Sequence, residues 1–208
     1  MSRQEIKEEA KTKIKGNIWN ILWPLLVIGV LSGIISTIFG GNQSYSSDSV
    51  NVTVSLGSTA STLISAFLSA GYIKYLLTFV RTGKFNTDEI INTIKEKWLH
   101  ILVANILVGI IVFACSLLLV IPGIIMALAY TFVLYLIVDK DYAVGPDALK
   151  ASREMMKGYK WDYFVFELSF IGWIILGIFT LGILYIWLIP YMQVASVLYY
   201  EKLLAKQK

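Results

Sequence analysis

"SLLLVIPGIIM", residues 116–126, lies inside an almost uninterrupted apolar run between His100 and Asp139. Whether that run is one long helix or two helices folded back at Pro122–Gly123 decides the architecture. A helix needs roughly 20 residues to cross about 30 Å of hydrocarbon. Ile101–Val138 has 38 residues, about 57 Å as a continuous helix and nearly twice what one crossing needs. Flanking charge decides between the two, because Lys and Arg gather on the cytoplasmic side of short loops. Lys95 and Lys97 precede the run; Lys140, Lys150, Arg153, Lys157 and Lys160 follow it. Both ends are expected on one side, so the run crosses twice. Pro122 lacks an N–H and Gly123 tolerates positive φ, which places the hairpin turn at this pair.

The same reasoning extends outward. Tyr163–Leu204 is similarly long, with "FTLGIL" (179–184) as its turn and Lys202, Lys206 and Lys208 beyond. The spans near 18–40 and 54–80 are joined by the Gly/Ser/Asn stretch "GGNQSYSSDSVN", read as a loop. The expected fold is an all-α, polytopic membrane bundle in one domain. Its six spans are 18–40, 54–80, 99–121, 123–139, 161–179 and 182–204, with both termini in the cytoplasm. None of the three outer connections carries Lys or Arg, although the chain has 18 of them.

Composition agrees. The chain has 208 residues, 57% hydrophobic and 15% charged, against about 45–50% and about 25% in a typical soluble domain. Basic residues flank apolar spans, so the net charge of +4 reads as membrane orientation and not as nucleic-acid binding. The N-terminal stretch "MSRQEIKEEAKTKIKGN" mixes acids with bases and precedes an apolar segment longer than a secretory core, so that segment reads as a retained anchor.

Three stretches look alike: "AKTKIKGNIWNILWPLLVIGV", "INTIKEKWLHILVANILVGII" and "REMMKGYKWDYFVFELSFIGW". Each sets a charged helical segment before Trp19, Trp98 or Trp161, then an apolar span. The unit is a cytoplasmic amphipathic helix (2–16, 86–97, 146–158) followed by a transmembrane hairpin, used three times. Asn86 or Thr87 is a helix cap, and Pro146 fits a first turn. Ile6, Ala10 and Ile14 share a face, as do Ile90, Ile91 and Ile94, and Ala148, Ala151 and Met155. These faces suit the headgroup layer, with the three Trp residues as interfacial anchors.

The segments "ALKASREMMKGYKWDYFVFELSFIGW" (148–173), "IPG" (121–123), "PYMQVASVLYYEKL" (190–203) and "AKTKIKGNIW" (10–19) resemble an uncharacterised bacterial family of integral membrane proteins, domain-of-unknown-function family 975. The resemblance covers nearly the whole chain and implies no catalytic motif. The family also looks akin to the membrane-embedded region of some glycerophosphodiester phosphodiesterases.

Chemistry-bearing residues are sparse. The single Cys115 lies in an apolar run and excludes a disulfide within the chain. His100 reads as an interfacial histidine; Asp139 and Asp141 beside Lys140 read as a solvated loop. No phosphate loop, HExxH or GxSxG occurs, so neither enzyme activity nor a cofactor is expected. The "GVLSG" motif (29–33) is expected to pack helices within the bundle. Pro190 should kink the last span, with Gln193 one turn on taking up the freed polarity. Lys74 and Glu167 each lie about 9–10 Å inside the cytoplasmic border by helical rise. An intramembrane charge usually faces the bundle interior with a partner, which makes these two a candidate ion pair. Snorkelling is the alternative for Lys74. With Asn105 and Gln193 they form the candidate polar set. The leading expectation is a non-catalytic membrane protein that binds lipids or a membrane partner, as an accessory or assembly factor. The alternative is a small transporter or channel using those polar residues.

Overall fold

The computed structural model describes residues 3–38, 42–47, 50–118, 120–140 and 146–207. It is helical throughout apart from one hairpin. In chain order come α1 (Arg3–Ile14), α2 (Ile18–Ile38), β1 (Asn42–Ser47), β2 (Val50–Ser55), α3 (Leu56–Thr82), α4 (Asp88–Leu118), α5 (Val120–Tyr130), α6 (Val133–Asp139), α7 (Pro146–Met155), α8 (Lys160–Leu168), α9 (Ile171–Phe179) and α10 (Tyr185–Lys206). Among the described residues four helical stretches are long and apolar enough to cross a membrane: Ile18–Ile35, Asp88–Leu117, Ile121–Asp139 and Lys160–Phe179.

Several boundaries fall where local chemistry puts them. The Asn86 side chain accepts the Asp88 N–H at 3.1 Å, capping α4, and Pro146 opens α7, where a missing N–H costs nothing. Lys97 leaves helical geometry inside α4, so the expected surface segment 86–97 and the following span are separated by a kink. Leu181 and Gly182 both have positive φ and make the turn between α9 and α10. Trp19, Trp98 and Trp161 are all exposed, at 70%, 53% and 73%.

Other expectations need correction. The connection between α2 and α3 is a two-stranded antiparallel hairpin, paired from Asn42↔Ser55 to Ser47↔Val50, and not an irregular loop. The alternating "VNVTV" supplies the period of two. α4 ends at Leu118 and α5 begins at Val120, so the chain has already folded back ahead of Pro122–Gly123, with Gly123 lying against Ser116. Pro122 sits in the first turn of α5, where its N–H would have no helical acceptor. Gly123 is not among the positive-φ glycines; a Cβ there would come within 3.0 Å of the Ser116 Cα. Its task is close approach of α5 to α4. Spans expected as single helices are broken between Leu168 and Ile171 and between Tyr130 and Val133. α10 runs unbroken through Pro190.

The amphipathic faces are also corrected. Ile6, Ala10 and Ile14 are buried to within 1% of full burial, with α1 lying against α10. Ala148 and Met155 of α7 are buried too, joined by Ser152, whose hydroxyl donates to Ala129 O in the last turn of α5 at 2.9 Å. These stripes meet protein, not a lipid layer. Of Ile90, Ile91 and Ile94 in the middle unit only Ile90 is buried, while Ile91 is exposed.

The core gathers around α3 and α10. Tyr72, Tyr75, Leu76 and Leu77 of α3 are buried, as are Leu188, Tyr191, Val194, Val197, Tyr199, Tyr200 and Leu203 of α10. The outward faces of α2, α4 and α9 leave Leu26, Val30, Ile34, Ile106, Ile110, Phe113, Ile175 and Phe179 exposed. Among the described residues an added methyl at Gly29 or Gly33 of α2 would meet no atom within 4 Å, so neither glycine marks a close helix approach there. Ser32 and Ser65 join α2 to α3 instead, Oγ to Oγ at 3.0 Å.

Pro24 lies inside α2, and its missing N–H releases the carbonyl of Asn20 from the helical ladder. The Tyr75 hydroxyl donates to Asn20 O at 2.7 Å, and Tyr72 donates to Ile21 O at 3.1 Å. Tyr75→Phe keeps the ring and orphans that carbonyl, so it should cost about 1–2 kcal/mol of stability in detergent. In a Pro24→Ala background the restored N–H satisfies Asn20, and Tyr75→Phe should cost less than about 0.5 kcal/mol. Equal losses in both backgrounds, read from thermal unfolding, would show that the hydroxyl does not serve the proline.

Candidate functional site

The charged residues converge at one end of the bundle, where α3, α6 and α10 finish and α2, α4 and α8 begin. Arg81 ends α3 there. Its guanidinium grips both carboxylate oxygens of Asp139 in a fork, Nη2 to Oδ2 at 2.9 Å, while Nε donates to Glu201 Oε1 at 2.7 Å. The Tyr200 hydroxyl donates to Asp139 Oδ2 at 3.1 Å. Hydrogen bonding to Asp139 holds the Arg81 pKa above its usual value. The Asp139 side chain keeps only 6% of its surface exposed, against 39% for Arg81. A cleft of about 630 Å³ opens beside this knot, lined by Arg81, Asp139, Lys140, Glu201, Leu204, Ala205 and Gln207.

A second set of contacts fastens α1 across the same end. Arg3 pairs with Asp162 at 3.1 Å, and Glu9 with Lys202 at 3.2 Å. Tyr199 donates to Asp162 Oδ2 at 2.9 Å. Lys13 donates to Val80 O at 3.0 Å, in the last turn of α3. Lys7 reaches Ser169 O at 3.5 Å and sits 4.5 Å over the Phe170 ring; burial, with Lys11 and Arg3 nearby, pushes its pKa down. Lys97 donates to Ile137 O at 2.8 Å, tying the α4 kink to α6.

The polar set expected from the sequence does not converge. Lys74 and Glu167 form no ion pair. Lys74, two turns before Arg81 on α3, acts electrostatically on Asp139. Glu167 interacts with Tyr163 on its own helix and with Tyr135 of α6, and Tyr163 also meets Ser196 of α10. Asn105 bonds back to Ile101 O at 2.8 Å and lines a cavity of about 100 Å³ with Ala104, Val108, Tyr130, Thr131, Val133 and Leu134. Gln193 is half-buried on α10, three residues beyond the buried Pro190.

Asp139 is the residue the sequence reading undervalued. Beside Asp141 and Lys140 its sequence context suggests a solvated loop, yet it is the best-buried ion of the knot. Asp141 lies outside the described residues. Among the described residues no three His, Cys, Asp or Glu side chains gather as metal ligands. His100 Nδ1 is buried without a hydrogen-bond partner among them.

A third cluster brings together cations that in the sequence read only as flanking charge. Lys150, Arg153 and Glu154 of α7, Lys157 in the turn that follows it and Lys160 at the start of α8 line a pocket of about 390 Å³. The spacing 150, 153, 154 puts the α7 members on one helical face, and Lys157 follows in the turn beyond it. Gly158 turns the chain at φ +84, which brings Lys160 round to the same hollow.

The family described as protein of unknown function, DUF975, matches residues 1–121 and 109–207, and the chain belongs to it. Comparison with curated proteins and with solved structures gave no match.

Removing a charge from the knot should be felt according to burial. Asp139→Asn should lower stability by about 1–3 kcal/mol, since it unmakes charged hydrogen bonds to a carboxylate hidden from solvent. Glu201→Gln, at a more exposed carboxylate, should cost under about 1 kcal/mol. The reverse order in thermal unfolding would move the centre of the knot to Glu201. Separately, Lys74→Ala and Glu167→Ala should be additive within about 0.5 kcal/mol, because they share no partner; a larger coupling would reveal a contact between them.

Proposed function

We propose that this member of the DUF975 family is a non-catalytic membrane protein that crosses the bilayer six times, with both termini in the cytoplasm. It serves by binding lipids or a membrane partner, as an accessory or assembly factor. One observation carries the reading. The ionic contacts collect at a single end of a bundle whose outer faces are apolar, and Trp19, Trp98 and Trp161 stand exposed where that end meets the apolar belt. Exposed Trp at such a boundary suits the headgroup layer.

Two further features support it. α3 and α10, with 27 and 22 residues, are long enough to span, and they carry the Ser, Tyr, Lys and Gln side chains that suit helices packed against protein. The first and third units also share local geometry. Gly16 and Gly158 both have φ +84 and each precedes its Trp by three residues. Asn17 N–H bonds Ile14 O at 2.8 Å, as Tyr159 N–H bonds Met156 O at 3.1 Å. The buried residues Ile6, Ala10, Ile14 and Ile21 have counterparts in Ala148, Ser152, Met156 and Tyr163 at one constant offset. A triplicated unit accounts for this, the middle copy using the Lys97 kink in place of a glycine.

Reporters fused after Ser46 should register outside, and those after Lys84, Lys140 or Lys208 inside; an inside signal at Ser46 removes the six-span reading. Purification from native membranes should recover a constant set of lipids or one membrane-protein partner. Solute uptake by reconstituted vesicles, abolished by Glu167→Gln, would replace the binding role with transport.

A further inference from the structure

Two sets of cations at the charged end contrast. Arg3, Lys7, Lys13, Arg81, Lys97 and Lys202 each hold a carboxylate or a backbone carbonyl, so the fold uses them. Lys150, Arg153, Lys157 and Lys160 hold neither among the described residues, yet they surround one pocket of about 390 Å³ with Glu154 as its only carboxylate. Four converging cations repel one another, and packing does not require it: Lys150 and Arg153 are exposed on the side of α7 away from its buried Ala148, Ser152 and Met155, and Lys157 is exposed in the turn beyond. Such a hollow is complementary to an anion of more than one charge-bearing oxygen. Arg supplies a planar fork for phosphate, and the lysines supply mobile point charges.

Position narrows the anion. Trp161 follows Lys160 directly and is 73% exposed, beside an apolar belt. The pocket therefore lies at the depth of the headgroups, where a phosphate arrives already attached to its acyl chains.

We propose that the pocket formed by Lys150, Arg153, Lys157 and Lys160 is a binding site for the phosphate of an anionic phospholipid in the cytoplasmic leaflet. The proposal rests on the membrane reading above and names its ligand. Juxtamembrane cations each contribute about 1 kcal/mol to anionic-lipid binding. Removing two should therefore weaken that binding about tenfold or more.

The test uses the full chain in detergent, titrated with short-chain phosphatidylglycerol, phosphatidylcholine or inorganic phosphate and read by native mass spectrometry. Wild type should prefer phosphatidylglycerol over phosphatidylcholine about tenfold. Arg153→Gln with Lys157→Gln should abolish the preference. Lys84→Gln with Lys95→Gln, the same charge removed elsewhere at this end, should keep it. Should the pocket variant fail to elute as a folded species, wild type alone decides. Its preference must fall as salt rises from about 0.05 to about 0.5 M, because screening shortens the reach of exposed cations. Equal binding of the two lipids, a preference that survives the pocket variant, or a salt-independent preference would overturn the site. So would displacement of phosphatidylglycerol by equimolar inorganic phosphate, which would make the ligand a soluble anion. Any of these with the reporters still in the six-span pattern would remove this site and leave the membrane reading standing.

Discussion

A backbone carbonyl released from its helix and buried away from water must find a donor, and the rest of this structure follows from how that demand is met. Helices here are interrupted often, by Pro24 inside α2 and by the breaks between α5 and α6 and between α8 and α9. Side chains from neighbouring elements meet the freed carbonyls, Tyr75 on Asn20, Ser152 on Ala129 and Lys7 on Ser169, and Tyr72 adds a bond to Ile21 beside the first. Each such bond fixes a neighbour as well as satisfying an acceptor. Tyrosine is suited to the work because its ring fills apolar space while its hydroxyl reaches past it. The aromatic core of Phe132, Tyr135, Tyr163, Phe166, Tyr199 and Tyr200 extends the same economy of design to the helix ends, where Tyr199 and Tyr200 bond Asp162 and Asp139.

Ion pairing completes what the hydroxyls begin. Arg81 joins α3 to α6 and α10 through two carboxylates, and the low exposure of Asp139 means that its charge depends on that fork and on Tyr200. The contacts of α1 are more exposed, Arg3 and Glu9 at 43% and 41% of their side-chain surface, and an exposed pair contributes little by itself. What anchors α1 is the burial of Ile6, Ala10 and Ile14, with the ion pairs fixing which way the helix lies.

Much of the chain's organisation was legible from its residues, because it is set locally. Asn86 capping α4, Pro146 opening α7, the turn at Leu181–Gly182 and the exposure of the three Trp residues need only nearest neighbours and a polarity boundary. The failures share a cause. A Pro–Gly pair marks a disturbance of helix without saying whether it makes the turn or follows it, and Gly123 was needed for its contact with Ser116, which is invisible in sequence. Periodicity revealed an apolar stripe on α1 but could not say whether lipid or α10 covers it. Depth along a helix follows from counting, so Lys74 and Glu167 were placed near one border; direction around the axis does not, and they face different partners. The basic face of α7 was in view as a flank of the third unit, but its convergence with Lys160 depends on the turn at Gly158.

The distribution of apolarity makes sense only when the two kinds of neighbour are kept apart. The stretches apolar enough to be recognised as spans by composition are mostly peripheral, with only 17%, 11% and 22% of Ile18–Ile35, Asp88–Leu117 and Lys160–Phe179 buried inside the protein. α3 and α10, less apolar than α2 and α9, form the centre. A helix surrounded by lipid has nothing to bond and is restricted to hydrocarbon, whereas one surrounded by protein can carry hydroxyls, amides and charge provided each finds a partner. Tyr72 and Tyr75 on α3, and Tyr199 and Tyr200 on α10, are those partnered groups. The lower hydropathy of the two central helices is therefore a consequence of their position, and it is the polar side chains on them that fix how the greasier helices are arranged around the core.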